Sequence, residues 1–209
     1  MFRVLALALV VAAGVAAFPA FAQDAKPPAG TVARVQGNAL AVQNAVPRAL
    51  AVGDLVRIGD VLSTGPNSRL EIKMRDEAIF TLGGETAFVV VDYTFGQGAP
   101  ANGVVRVLRG AFLATSGAIA QVADAGLKVQ SQAATIGIRG TTVWGGGLDG
   151  TFQVMLIEGR SVTVENADGR VELNTAGAGT MVNAAGAPTS PVFWAADKVA
   201  RARAITDFP

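Results

Sequence analysis

The amino-acid sequence predicts an all-β fold: a β-roll, a solenoid-like sheet or a sandwich of roughly ten to thirteen short strands, with a short C-terminal helix. Three observations carry this expectation. From Thr31 onward, apolar and polar residues alternate over short runs, the two-residue period of half-buried strands. Glycine is abundant, with 25 in 209 residues, against an average usage of about 7%, and the glycines fall between those runs. A pattern centred on a glycine also recurs three times, as Val32…Gly37…Val42, Val105…Gly110…Thr115 and Val154…Gly159…Val164. Each copy has Val five before the glycine, a β-branched or Leu residue two before it, and Leu or Val three after it. Such a glycine supplies a bend or bulge that a residue with a Cβ resists. The copies lie 73 and 49 residues apart, so they form a reused strand–bend–strand unit and not a tandem array.

The N-terminus reads as a targeting segment. Arg3 is followed by a stretch from Val4 to Ala22 without a charge, which ends in Pro19 and the small-residue pattern Ala20-Phe21-Ala22. This predicts a secretory signal peptide over 1–22, cleaved after Ala22. The alternative is an uncleaved anchor, since the uncharged stretch nearly spans a bilayer. Residues 23–30, with Pro27-Pro28, read as an extended linker. The β domain is expected over 31–190, followed by a helix and tail over 191–209.

Within the β domain, Arg69-Leu-Glu-Ile-Lys-Met alternates cleanly, placing Leu70, Ile72 and Met74 on one face. Ala87 to Tyr93 is a denser apolar strand. Asp168-Gly169 and Leu148-Asp149-Gly150 each separate two β-rich runs and predict hairpins. Ala118 to Ala125 is Ala-rich and reads as a short helix or a loop. Residues 192–205 contain good helix formers and no Gly or Pro, which predicts a helix with Phe193, Ala196, Val199 and Ala200 on its buried face.

Composition excludes much chemistry. With no Cys and no His there are no disulfides, no thiolate nucleophile, no Ser-His-Asp triad and no HExxH zinc site. Acid/base work would fall to carboxylates, Lys or Tyr93, the one tyrosine. There are 17 basic and 16 acidic residues, and the balance becomes neutral once Arg3 leaves with the signal peptide. The basic residues form no run, so nucleic-acid and anionic-lipid partners are not expected, nor is the membrane after cleavage.

Two motifs stand out. Gly53-Asp54 and Gly59-Asp60 are two Gly-Asp pairs six residues apart, leading into Thr64-Gly65 and Ser68-Arg69. Asp accepts hydrogen bonds from nearby backbone N–H groups and Gly permits a tight turn, so two successive Asp-capped turns are expected. The alternative, a carboxylate pair for metal or acid/base work, lacks the further ligand-rich loop a cation needs. In Ile138-Arg139-Gly140-Thr141, Arg139 interrupts an otherwise uncharged stretch. Pointing inward it would need a carboxylate or carbonyl partner; pointing outward it would suit an anionic group or a partner contact. Gly145-Gly146-Gly147 lacks the Lys-Ser/Thr of a phosphate-binding loop. Trp144 and Trp194 read as packing residues. No cofactor or metal is expected.

At these motifs, residues from about Gly30 to Asn183 resemble the FecR family of periplasmic domains. The resemblance rests on the opening Val-x-x-Val-x-Gly37, on Gly53-Asp54…Gly59-Asp60-Val-Leu-Ser-Thr64-Gly65, on Leu108-x-Gly110, on Ile138-Arg139-Gly140-Thr141, and on Ile157-x-Gly159 with Val164 and Asn166. Asp76-Glu77-Ala78 departs from the Asp-Gly-Ser common in the family. The resemblance implies an extracytoplasmic β-rich domain and carries over no catalytic residue. Signalling members have a cytoplasmic anti-sigma segment and a membrane helix before the domain, whereas here 22 signal-like residues precede it. The leading expectation is therefore a non-catalytic periplasmic or secreted module that binds or scaffolds an envelope protein or glycan. The alternatives are a component of a transmembrane sigma-regulator-like system and a polysaccharide hydrolase using two converging carboxylates.

Overall fold

The computed structural model describes residues 27–209 except 97, 99, 123–125 and 184. The signal peptide expected over 1–22, and residues 23–26 of the linker, lie outside this range. The linker ends earlier than expected, because Ala29 is already buried and Gly30 opens the first strand.

Among the described residues the chain forms sixteen strands of one sheet. In chain order they are β1 (Gly30–Gln36), β2 (Ala39–Gln43), β3 (Val46–Ala49), β4 (Leu55–Val56), β5 (Val61–Thr64), β6 (Arg69–Met74), β7 (Ile79–Leu82) and β8 (Ala87–Thr94). They continue as β9 (Asn102–Arg109), β10 (Ala111–Thr115), β11 (Leu127–Gln130), β12 (Thr135–Leu148), β13 (Thr151–Asn166), β14 (Gly169–Leu173), β15 (Ala178–Val182) and β16 (Val192–Phe193). A 3-10 turn covers Ala118–Gln121, and α1 (Ala196–Thr206) closes the chain. The strands exceed the ten to thirteen expected because pieces as short as β4 and β16 have no room for a period-two signal. No helix among the described residues is long and apolar enough to cross a membrane.

Every pairing is antiparallel except β9 with β11. The order runs β3-β2-β5-β8-β9-β11-β12-β10-β7-β6-β1-β4. It curls into a half-barrel because β12 and β13 are long and paired from Thr135↔Glu165 to Leu148↔Thr151. The first half of β12 carries β11, and its second half carries β10. Two arms of the sheet therefore leave the β12–β13 pair and face each other. The chain passes between arms at Gly37, at the 65–68 turn, at the 83–86 turn and at Gly110, while β12 and β13 bend at Gly140 and Gly159. The three copies of the glycine-centred pattern are thus three corners.

The space between the arms is the main core. Leu62, Phe88, Val90, Val105 and Val107 from one arm meet Leu70, Ile72, Phe80, Leu82 and Phe112 from the other. The Phe80 and Phe88 rings lie 5.3 Å apart across it. Strands such as β6 bury alternate residues, here Leu70, Ile72 and Met74. A second cluster lies on the outside of the β10–β12–β13 arm, where α1 covers Ala111, Trp144, Leu148 and Met155 with Trp194 and Ala202. The two indoles meet edge to face at 5.8 Å. The helix begins at Ala196 and not at 192, because Val192 and Phe193 pair with β15. This shifts the buried face to Ala202 and Thr206, with Val199 and Ile205 beside them, and leaves Phe193 72% exposed. Ala196 and Ala200 are exposed as well.

Candidate functional site

The two Gly-Asp pairs fold identically. In Ala51–Asp54 and again in Arg57–Asp60, the Asp N–H donates to the carbonyl three residues back at 3.1 Å. In return one Asp carboxylate oxygen accepts from that residue's N–H at 2.8 Å. Gly59 sits at φ 91°, with only the Gln43 side chain near a would-be Cβ, so the turn needs glycine for its backbone angle alone. Each turn then clamps a valine of a neighbouring strand. Gly53 N–H donates to Val32 O while Val32 N–H donates to Asp54 O, and Gly59 and Asp60 repeat this with Val90.

The two aspartates differ in burial. Asp54 bonds at the surface. Asp60 is fully buried and pairs with Arg48, which points inward from the edge strand β3. Its Oδ2 takes both the Arg48 guanidinium and the Arg57 N–H, and its Oδ1 has no partner among the described residues. Burying a carboxylate is costly unless an opposite charge lies beside it, and Arg48 supplies that charge. Thr64 ties the next corner: its hydroxyl donates to Gly83 O at 2.6 Å and accepts from Thr86 N–H at 3.0 Å. Gly65 N–H donates to Asn38 O at 2.9 Å.

The second motif lies at the bend of β12. Ile138 and Thr141 are buried, whereas Arg139 and Gly140 face solvent. Arg139 therefore lies on the solvent side of the bend. Thr141 N–H donates to Ser116 Oγ at 2.9 Å, and Ser116 N–H donates to Thr141 O at 3.0 Å. Gly159, at φ 108°, packs so tightly that a Cβ would strike Gly140 O and the Thr141 Cα. A cleft beside this bend is lined by Arg139, Arg160, Gly140, Ala120 and Gln121. On the first arm three strands, β8, β9 and β11, separate β5 from β12, so the two motifs do not form one centre. Gly145 to Gly147 are strand residues, with Gly145 beneath the Phe112 ring.

A polar hub that sequence reasoning missed lies at Asp76, in the β6–β7 turn. Its Oδ1 accepts from Tyr93 Oη at 2.5 Å and from Ala78 N–H at 3.1 Å, and its Oδ2 accepts from Ile119 N–H at 3.0 Å. Ala118 N–H donates to Asp76 O. Burial, and then the hydrogen bond to Asp76, push the Tyr93 phenol far above its ordinary range. Next to it Glu77 takes φ 71° and pairs with Lys73 at 2.5 Å. The one signal available was that Tyr93 is the single tyrosine.

A groove opens where the arms part, opposite the Gly140–Gly159 bend. It has two lobes of about 400 Å³ each, which share Gln132, Ala133, Gly150, Thr151 and Phe152. One lobe is bounded by the end of β9, and the other by Asn166 and the end of β15. Neither lobe is lined by a carboxylate, and the cleft beside Thr142 holds one, Glu158. The two converging acids that glycoside cleavage requires are not found in these clefts. Among the described residues no three acidic side chains cluster as a metal site.

Fold and site together define an all-β domain built on glycine corners and Asp-capped turns. A family profile described as FecR protein matches residues 60–172, more than half of the chain, and the chain belongs to the FecR family. In fold it is similar to two crystal structures of a protein from Parabacteroides distasonis ATCC 8503 described as a "putative anti-sigma factor", at 1.65 and 2.50 Å resolution. In both cases the TM-score is 0.53 and the identity 14%, over 66% of this chain. The chain spans 61% of the length of those structures. No curated protein matches it.

Proposed function

We propose that this chain is the extracytoplasmic component of a sigma-regulator-like transmembrane signalling system, and that it acts by contact and not by catalysis. The observation that carries this reading is the FecR match over residues 60–172, which takes in both motifs from Asp60 onward and most of the curled sheet. The fold it shares with proteins described as anti-sigma factors supports the signalling reading over a free-standing glycan or scaffold binder. The groove and the Arg139–Arg160 cleft offer contact surfaces, and neither offers an acid pair for hydrolysis.

In this reading the sheet is exported, and a partner supplies the cytoplasmic part. Mass spectrometry of the protein from fractionated cells tests the export on which the reading depends. A chain beginning at Gln23 in the periplasmic or secreted fraction is the expected result. An intact Met1 in the cytosolic fraction would contradict it.

A further inference from the structure

We infer that the outer side of the Gly140–Gly159 bend binds a carboxylated sugar. Two clefts of about 410 and 340 Å³ meet there and share Gln121 and Gly140. Gly140 sits at φ 64°, and nothing lies within 4 Å of the place its Cβ would take, so the two clefts run together over it. Arg139 and Arg160 line the first cleft; Thr115, Ser116, Thr142 and Glu158 line the second. The recess is held in shape from below. Gln121 ends the 3-10 turn, whose Ala118 and Ile119 N–H groups are fixed by the buried Asp76. Ser116 is fixed by the N–H and carbonyl of Thr141, and the floor is the β12–β13 pair at its Thr141↔Gly159 rung. A site already in shape loses little freedom on binding.

The side chains that line this recess are largely unengaged, and their chemistry selects the ligand. Arg160, Gln121 and Glu158 are exposed, and none of them makes a side-chain hydrogen bond or ion pair among the described residues. Ser116 Oγ accepts from Thr141 N–H at 2.9 Å, and its own proton goes to no group among the described residues. The Thr115 and Thr142 hydroxyls share one hydrogen bond at 3.2 Å, so one of their two protons is left over. A guanidinium takes a carboxylate through two parallel hydrogen bonds, which gives Arg160 its partner. The Gln121 amide, the Glu158 carboxylate and the spare hydroxyl protons then donate to and accept from sugar hydroxyls. With Glu158 on the rim, a singly charged carboxylate suits the recess better than a doubly charged phosphate ester. Other occupants fit less well. The main chain is already paired, since β12 meets β13 on one side of the bend and β10 and Ser116 on the other, so no strand adds here. Ala120 is the one apolar side chain beyond glycine and threonine among the described lining residues, so lipid tails and apolar peptide anchors have no seat. This inference does not rest on the signalling reading, and its failure leaves that reading to its own test.

Calorimetric titration of the purified full chain with tetragalacturonate tests this, beside neutral maltotetraose, inorganic phosphate and phosphatidylglycerol vesicles. Tetragalacturonate is expected to bind at least about tenfold more tightly than maltotetraose. Its affinity should fall about tenfold or more in Arg160→Gln and about threefold or more in Gln121→Ala. Arg57→Gln, which removes an exposed cation from the β4–β5 turn, should bind as the parent does. In the parent, amide NMR signals of Ser116, Thr141 and Arg160 should move during the titration. Circular dichroism confirms the fold of each variant, and Gln121→Ala carries the test if Arg160→Gln fails to fold. The inference is overturned if tetragalacturonate does not bind, if maltotetraose binds equally well, or if both recess variants bind as tightly as the parent. An equal loss in Arg57→Gln would overturn it too, by showing unspecific attraction of charge. So would binding of phosphate or of the vesicles without any of tetragalacturonate.

Discussion

Tyr93 shows how one side chain links the fold to pH. Its protonated form is neutral, so burial first, and then the hydrogen bond to the Asp76 carboxylate, raise its pKa far above the ordinary value of 10.0. In the unfolded chain the phenol ionises near that ordinary value, while in the folded chain it keeps its proton. The folded state therefore binds more protons above pH 10, so this contribution is intact below that pH and is lost as pH rises past it. Because Tyr93 is the single tyrosine, ultraviolet absorbance of tyrosinate reads this one group. The signal is expected to rise only together with unfolding. A native protein that titrates near pH 10 with its near-ultraviolet circular dichroism unchanged would contradict the hub. Tyr93→Phe should abolish the alkaline loss, while costing about 1–3 kcal/mol near neutrality by leaving Asp76 short of a donor. The sequence could not announce this hub, because the partners of Asp76 lie 2, 17 and 43 residues away. Asp54 and Asp60 were different: their acceptors serve backbone three residues back, a local relation that the Gly-Asp spacing encodes. Local turn chemistry was legible, and long-range polar pairing such as Arg48–Asp60 was not.

At the scale of elements, the glycines divide into two kinds that the sequence does not distinguish. Gly53 has open space around a would-be Cβ and needs only its φ of 91°, whereas Gly159 abuts backbone atoms of Gly140 and Thr141. Gly53→Ala is expected to cost about 1 kcal/mol. Gly159→Ala should cost about 3 kcal/mol or more, because no side-chain rotation relieves a clash with main chain. Urea unfolding of the two variants checks this difference, and equal midpoints would contradict it. The C-terminal helix has no side-chain cap at Ala195, so its docking depends on packing. Trp194 against Trp144, and Arg69 reaching Ala204 O at 2.7 Å, hold it to the outer face. Trp194→Ala should therefore destabilise the protein by about 3 kcal/mol in the same assay. Arg201→Ala should change the midpoint little, since its pair with Asp149 lies at the surface. The helix itself was legible from its composition. Its buried face was not, because two residues of strand precede it and shift the phase of the helical repeat.

For the whole molecule, the alternation and the recurring glycine unit were enough to indicate a curled all-β sheet. Which strands become neighbours depended on β12 and β13 running unbroken through two bends. Val143 to Leu148 carries four buried residues in a row, Val143 to Gly146, so its period gave no hint of so long a strand. The groove was invisible for a related reason: it exists because β11 stops one arm's pairing early, a fact of register and not of residue type. The family motifs, by contrast, were readable because each is confined to a turn or a corner. They lie on separate parts of the sheet and maintain its shape, so the chain's activity is expected to reside in surfaces that this shape presents to partners. The proposed signalling role is tested most directly by RNA sequencing of a deletion strain of the native host against its parent and a complemented strain, under iron limitation. A small, coherent set of envelope or uptake genes should shift together and return on complementation. An unchanged transcriptome would contradict the role.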